Sequence, residues 1–202
     1  MTRYALFRVL DGIAVISLNA PPVNALCVQL RAALAEHFHR IDTEDQISAV
    51  VLRAEGALFS AGADIRELAA AWQDPGPRDL CDLIEGCSKP VVAALGGQAL
   101  GGGAELLLAA HYRVADARAR IGFAEVTRGV LPGAGGTQRL PRLVGPEAAL
   151  KLMVSGQSVA APDALRLGLL DGLVEGDLAT GAVTFARRLV ADGKGPRPTR
   201  AR

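Results

Sequence analysis

Apolar and polar positions fall in short blocks along the chain. Ala5–Val9 and Ile13–Leu18 read as two strands joined at Asp11-Gly12, a pair suited to a tight hairpin. Pro21-Pro22 breaks that pattern. Leu26, Leu30, Leu34, Phe38 and Ile41 then recur at helical spacing, which predicts an amphipathic helix over Leu26–Ile41. Ala49–Leu52 is a short apolar run of the kind found in buried strands. Glu55 to Ala63 reads as a loop, and Asp64 stands where it would cap a helix Ile65–Trp72. After the breaker Pro75-Gly76-Pro77, Arg78–Cys87 reads as a helix and Val91–Leu95 as a strand. Glycine-rich residues 96–103 feed a helix Ala104–Ala110, followed by a strand Tyr112–Ala115 and a short strand or turn within Ala119–Glu125. Pro132–Gly136 reads as a loop. Helices follow at Pro146–Ser155, Pro162–Leu167 and Leu178–Ala191. Strands and helices alternate through the first two thirds and the last third is helical, so the class is α/β. Residues 193–202 are basic and rich in Pro and Gly, and are expected to form a flexible tail.

Composition narrows the function. The 202 residues are 50% hydrophobic and only 4% aromatic, enough for one domain whose core is built of small aliphatic side chains. The 22 basic and 21 acidic residues give a net charge of +1, which supplies no electrostatic case for nucleic acid or a membrane surface as partner. Cys27, Cys81 and Cys87 lack metal-ligand spacing and do not suggest a disulfide framework. The first residues are too short and too charged for a signal segment. No apolar run approaches the roughly 20 residues of a membrane span. The expectation is a soluble, cytoplasmic protein.

Four segments carry chemistry: Phe59–Ile65, Ala99–Glu105, Phe123–Glu125 and Leu131–Leu140. A strand, three glycines and a helix place free N–H groups at a positive helix end, where a phosphate or a developing oxyanion can approach bare backbone. A tight turn would account for the same glycines. Neither G-x-G-x-x-G nor G-x-x-x-x-G-K-[ST] is present, and there is no G-x-S-x-G elbow. Glu105 falls in the first turn after the triplet, where the helix dipole favours its charged form. It suits a general base or a plain helix-terminal carboxylate. Glu125 follows Gly122-Phe123-Ala124, and apolar neighbours would raise its pKa. An exposed loop glutamate is the alternative. Their separation is too long for one helix face and does not show that they meet. His111 reads as a packed, hydrogen-bonding histidine. His37 and His39, two apart on one helix, do not face each other as a metal pair.

Together these four segments resemble the enoyl-CoA hydratase/isomerase (crotonase) family, over about Ala5 to Val190. The Gly-Gly-Gly-x-Glu and Pro-Gly-x-Gly-Gly-Thr-Gln-Arg-Leu blocks are specific in combination. The resemblance implies the crotonase (ClpP-like) spiral of repeated ββα units with a helical C-terminal region. It implies that Ala63 and Gly102 supply the backbone N–H groups of an oxyanion hole for a thioester oxygen. Glu105 would hold and activate water, and Glu125 would deliver a proton to the α-carbon. Phe59, Ser60, Ala61, Gly62, Ala63, Asp64 and Ile65 would cradle coenzyme A, with Arg66 near its 3′-phosphate. No metal and no separate cofactor are implied, because CoA arrives as part of the acyl-CoA substrate.

Both glutamates are present, which favours hydration of 2-trans-enoyl-CoA in β-oxidation. A 3-enoyl to 2-enoyl isomerase and a non-catalytic CoA-binding or assembly module are the alternatives. His111–Ala115 and Gly172–Leu178 are similar to the N-terminal hydratase part of multifunctional fatty-acid oxidation enzymes. Against the family, the domain over 1–192 is expected to lack C-terminal helices that cover the acyl site and build trimers. That leaves a trimer-based homo-oligomer open.

Overall fold

The computed structural model describes residues 4–67 and 73–201. Strands β1 (Ala5–Leu10) and β2 (Ile13–Leu18) form the expected antiparallel hairpin. Asp11 and Gly12 both turn with positive φ, as a two-residue hairpin of matching twist requires. Helix α1 (Val28–Thr43) leads to β3 (Ala49–Ala54), and α2 (Pro77–Glu85) to β4 (Val91–Leu95). Then come β5 (Gln98–Leu100), α3 (Gly102–Ala109), β6 (Tyr112–Asp116) and β7 (Arg120–Gly122). The last part holds α4 (Gly136–Val144), α5 (Pro146–Ser155), β8 (Ser158–Ala160), α6 (Ala161–Arg166), β9 (Gly172–Val174) and α7 (Leu178–Ala191).

The large sheet has the order β1-β2-β3-β4-β6-β9, and every pairing after the hairpin is parallel. Both faces are covered at its inner strands, which is why β2, the first four residues of β3, and β4 are buried throughout and almost entirely apolar. Ala14, Ile16, Val50, Leu52 and Ala93 face the main core, which α1, α2 and α3 share. Ile13, Val15, Val51, Val92 and Ala94 face Ala182, Val183, Ala186 and Leu189 of α7.

A second, smaller line of pairing runs beside this sheet. It consists of the bridges Leu26↔Ala63 and Ser60↔Ala99, then β5 against β7 and β7 against β8. Each circuit of the chain therefore gives one long strand to the large sheet, a short stretch to the second line, and then helix. This is the expected spiral of ββα units.

Several elements differ from the sequence pattern. α1 starts at Val28 rather than Leu26, because Leu26 is drawn into the bridge with Ala63, its N–H donating to the Gly62 carbonyl at 2.9 Å, and Cys27 is still extended. The helix expected over Ile65–Trp72 begins as a turn through Glu67, and its remainder, with Trp72, lies outside the described residues. Residues 136–144, to which the sequence pattern assigns no element beyond the loop ending at Gly136, form α4 despite Pro141. The three-residue strands β5, β8 and β9 carry too few positions to show a period.

The expectation of a flexible tail is corrected over 193–201. The Tyr112 hydroxyl donates to the Gly195 carbonyl at 3.0 Å, and the Arg197 guanidinium stacks 4.3 Å above the Tyr112 ring centroid. Arg197 also pairs with Asp171, and Thr199 is buried. Basic, Pro-rich composition pointed to disorder, but the arginines find an aromatic face and a carboxylate on the body of the domain. Replacing Arg197 with Ala should lower unfolding stability by about 1 kcal/mol, read by denaturant titration. A tail that does not dock would give no change.

Candidate active site

The register of the second line of pairing assembles the site. Ser60 pairs with Ala99, so Ala63 and Gly102, each three residues further on, come side by side. Leu100 pairs with Gly122 and the Gly101 N–H donates to the Gly122 carbonyl at 2.9 Å, which brings Glu125 alongside the glycine triplet. These chains run unusually close. A Cβ on Gly103 would lie 2.6 Å from the Ser60 carbonyl oxygen, and one on Gly62 would lie 2.6 Å from that of Leu100. Side chains at either position would force the two turns apart. The triplet thus serves both readings: it packs tightly and it presents backbone.

Ala63, Gly102, Glu105 and Glu125 all border one cavity of about 460 Å³. Gly102 is the first residue of α3, so its N–H has no partner within the helix. Among the described residues, neither the Gly102 nor the Ala63 N–H donates a hydrogen bond. Two unclaimed donors side by side suit one oxygen that gains negative charge. Leu100, Ala124, Val130 and Leu131 make much of the remaining wall apolar.

Glu105 is held at one end. Its Oε1 accepts from the Ala134 N–H at 2.8 Å and the Gly136 N–H at 2.7 Å. The described residues place no donor on Oε2. Burial pushes its pKa up to about 7, and the neighbouring Glu125 charge adds to this against the pull of the two amides and Arg139. Glu125 opens a short 3-10 turn, Glu125–Arg128, and both of its carboxyl oxygens are buried without a hydrogen-bond partner among the described residues. Burial raises its pKa as well. A buried, unpartnered carboxyl group at a cavity wall favours its protonated form and is available to a ligand. The Glu125 charge acts on Glu105 across the shared cavity.

The other residues singled out in the sequence divide. Ala61 and Ile65 border the cavity. Phe59 and Ser60 are fully buried, and their N–H groups both go to the Gln98 carbonyl. The Gly62 N–H goes to Ser60 Oγ at 3.1 Å. Those three shape the turn rather than line the cavity. Asp64 is buried and accepts from the Arg66 side chain in a two-pronged contact of 2.9 and 2.6 Å, which holds its carboxyl below the usual range. The Arg66 side chain itself is 82% exposed. His111 accepts the Val91 N–H on Nδ1 and meets the Glu85 carbonyl through Nε2, at 3.0 Å each. That is the packing role expected of it. The amides of Ala134 and Gly136 were missed; the signal was the Pro132–Gly136 run, which reads as a plain loop until its partner is known.

Comparisons with known proteins identify the family. Residues 8–195 match the family model described as enoyl-CoA hydratase/isomerase. The "Peroxisomal bifunctional enzyme" of Danio rerio is 47% identical over 190 residues, covering 94% of this chain and 26% of that protein. A "Probable enoyl-CoA hydratase" of Bacillus subtilis is 38% identical over 165 residues, covering 78% of this chain and 64% of the relative. The crystal structure of an enoyl-CoA hydratase from Bacillus anthracis superposes with a TM-score of 0.87 at 33% identity, covering 93% of this chain and 77% of that one. The chain spans about a quarter of the length of the bifunctional relatives it matches.

The raised pKa of Glu105 has a stability consequence. The folded state holds its proton up to about 7, whereas an unperturbed glutamate releases it near 4.5. The folded form therefore binds more protons across that window, and stability falls as pH rises through it, by about 3 kcal/mol in total. Glu105→Gln should be more stable than the parent above pH 7 and lose that advantage below about pH 4.5, as measured by urea unfolding at each pH. A gap independent of pH would contradict the burial argument.

Proposed function

The chain belongs to the enoyl-CoA hydratase/isomerase family, and from that premise we propose that it adds water to 2-trans-enoyl-CoA, giving 3-hydroxyacyl-CoA in fatty-acid β-oxidation. The observation that carries the reading is the convergence of two unclaimed amides and two buried carboxyl groups on one cavity.

In this reading the thioester oxygen accepts from Ala63 and Gly102. Glu105, anchored through Oε1, orients a water with Oε2 and takes one of its protons. The hydroxyl oxygen bonds to Cβ, the π electrons move toward the thioester oxygen, and the two amides stabilise the resulting enolate. Each such donor is worth about 3–4 kcal/mol of barrier. Cα then takes the proton of Glu125 from the same face, so the addition is syn. Glu105 ends protonated and Glu125 ionised, and one proton passed back through water resets the pair. The competent resting form carries a single proton, on Glu125, with Glu105 ionised; burial favours the proton on Glu125, and the two amides on Oε1 favour the charge on Glu105.

Ala61, Ile65 and the exposed Arg66 guanidinium are proposed to meet the CoA portion, with Val130 and Leu131 beside the acyl chain. Several relatives are named peroxisomal, so their names lend the expected cytoplasmic location no support. No described helix is long and apolar enough to cross a membrane.

Glu105→Gln and Glu125→Gln should each lower kcat on a short 2-enoyl-CoA by about 10²- to 10⁴-fold, followed as loss of the enoyl thioester absorbance. A parent rate retained by both variants would contradict the assignment.

A further inference from the structure

Arg139, on α4, is only 5% exposed and takes no part in the proton transfers above. Its Nη1 donates to the Ala134 carbonyl at 2.8 Å. Nη2 donates to Glu85 Oε2 at 2.9 Å and to Asp82 Oδ1 at 2.6 Å, and Nε reaches Glu85 Oε2 at 3.2 Å. Both carboxylates belong to α2. Glu85 is tied a second time, since its Oε1 accepts the Arg200 N–H of the docked C-terminal segment at 3.0 Å. The guanidinium is thus fixed by α2 at one end and grips the 134–136 loop at the other.

The gripped carbonyl has a particular place. The peptide that joins Ala134 to Gly135 lies between the two peptides whose N–H groups bind Glu105 Oε1. Gly135, at φ +102°, lets the chain turn there, and a Cβ on it would sit 2.2 Å from Arg139 Nη1. The guanidinium lies directly against a bare Cα. A planar fork reaches a carbonyl on one side and two carboxylates on the other, which the point charge of a lysine cannot do.

We infer that Arg139 is a positioning residue: by holding the Ala134 carbonyl it aims the Ala134 and Gly136 N–H groups at Glu105 Oε1 and leaves Oε2 unclaimed for water. The role of Oε2 rests on the hydratase reading; the grip on the loop does not. The charged groups acting on Glu105 are Glu125 and Arg139. Arg139→Lys keeps the cation and removes the fork, so its effect reports geometry rather than charge.

The test is a carbon-13 NMR titration of the Glu105 carboxyl carbon, assigned by its loss in Glu105→Gln. In the parent it should titrate near 7. In Arg139→Lys, with the two amides no longer aimed, the midpoint should move up by about one pH unit. On a short 2-enoyl-CoA, kcat should fall about tenfold while KM stays within about twofold. A folded Arg139→Lys whose Glu105 midpoint matches the parent overturns the proposal. If that variant does not fold, the titration is made on Asp82→Asn, which loosens Arg139 from the half-exposed side and leaves Glu85 paired. An upward shift there supports the role and an unmoved midpoint overturns it. The titration needs no turnover, so a parent protein inactive on enoyl-CoA would sink the hydratase reading while the positioning role is still decided.

Discussion

Two backbone amides, those of Ala134 and Gly136, hold one oxygen of a carboxylate almost sealed from water, and the remainder of the site is arranged around that contact. A buried carboxyl group without donors would stay protonated and would turn freely. With two donors on Oε1 its ionised form becomes accessible near neutral pH, and its second oxygen has a fixed place. Among the described residues, Glu125 has no such donors. Two identical side chains are thereby given different surroundings, which is how one site can take a proton from water and deliver another to carbon.

The spiral makes this possible at small cost in sequence. Four groups that are remote along the chain meet because adjacent circuits pair in parallel register. Ser60 sits against Ala99 and Leu100 against Gly122, and the functional positions follow a few residues after each pair. The register depends in turn on glycines that let backbone touch backbone, at Gly62 and Gly103. The same packing keeps the free amides of Ala63 and Gly102 together without any side chain to set them.

Much of this was legible in the chain. The first hairpin, α5, α7 and the apolar strands follow short-range rules, and their boundaries agree with the structure within a few residues. The motif blocks named the four site positions through resemblance, not through spacing. What stayed hidden depends on contacts between distant segments. Arg139 reads from the sequence as an arginine making local hydrogen bonds beneath the loop, yet it also reaches across to Glu85 and Asp82 on α2. Arg31 falls on the buried side of α1 and is fully enclosed, donating to the Leu26, Gln73 and Pro75 carbonyls and to Glu67. No periodicity flags a charge whose partners come from elsewhere in the chain. The C-terminal segment misled for the same reason, because its arginines are satisfied by Tyr112 and Asp171 rather than by water.

The most direct measurement is a crystal structure with a short, non-hydrating acyl-CoA analogue bound. It should place the thioester oxygen about 3 Å from both the Ala63 and the Gly102 nitrogens, with Cα facing Glu125 and Cβ facing Glu105. A thioester oxygen that meets neither amide, or an acyl chain lying outside the cavity between the two acids, would contradict the account.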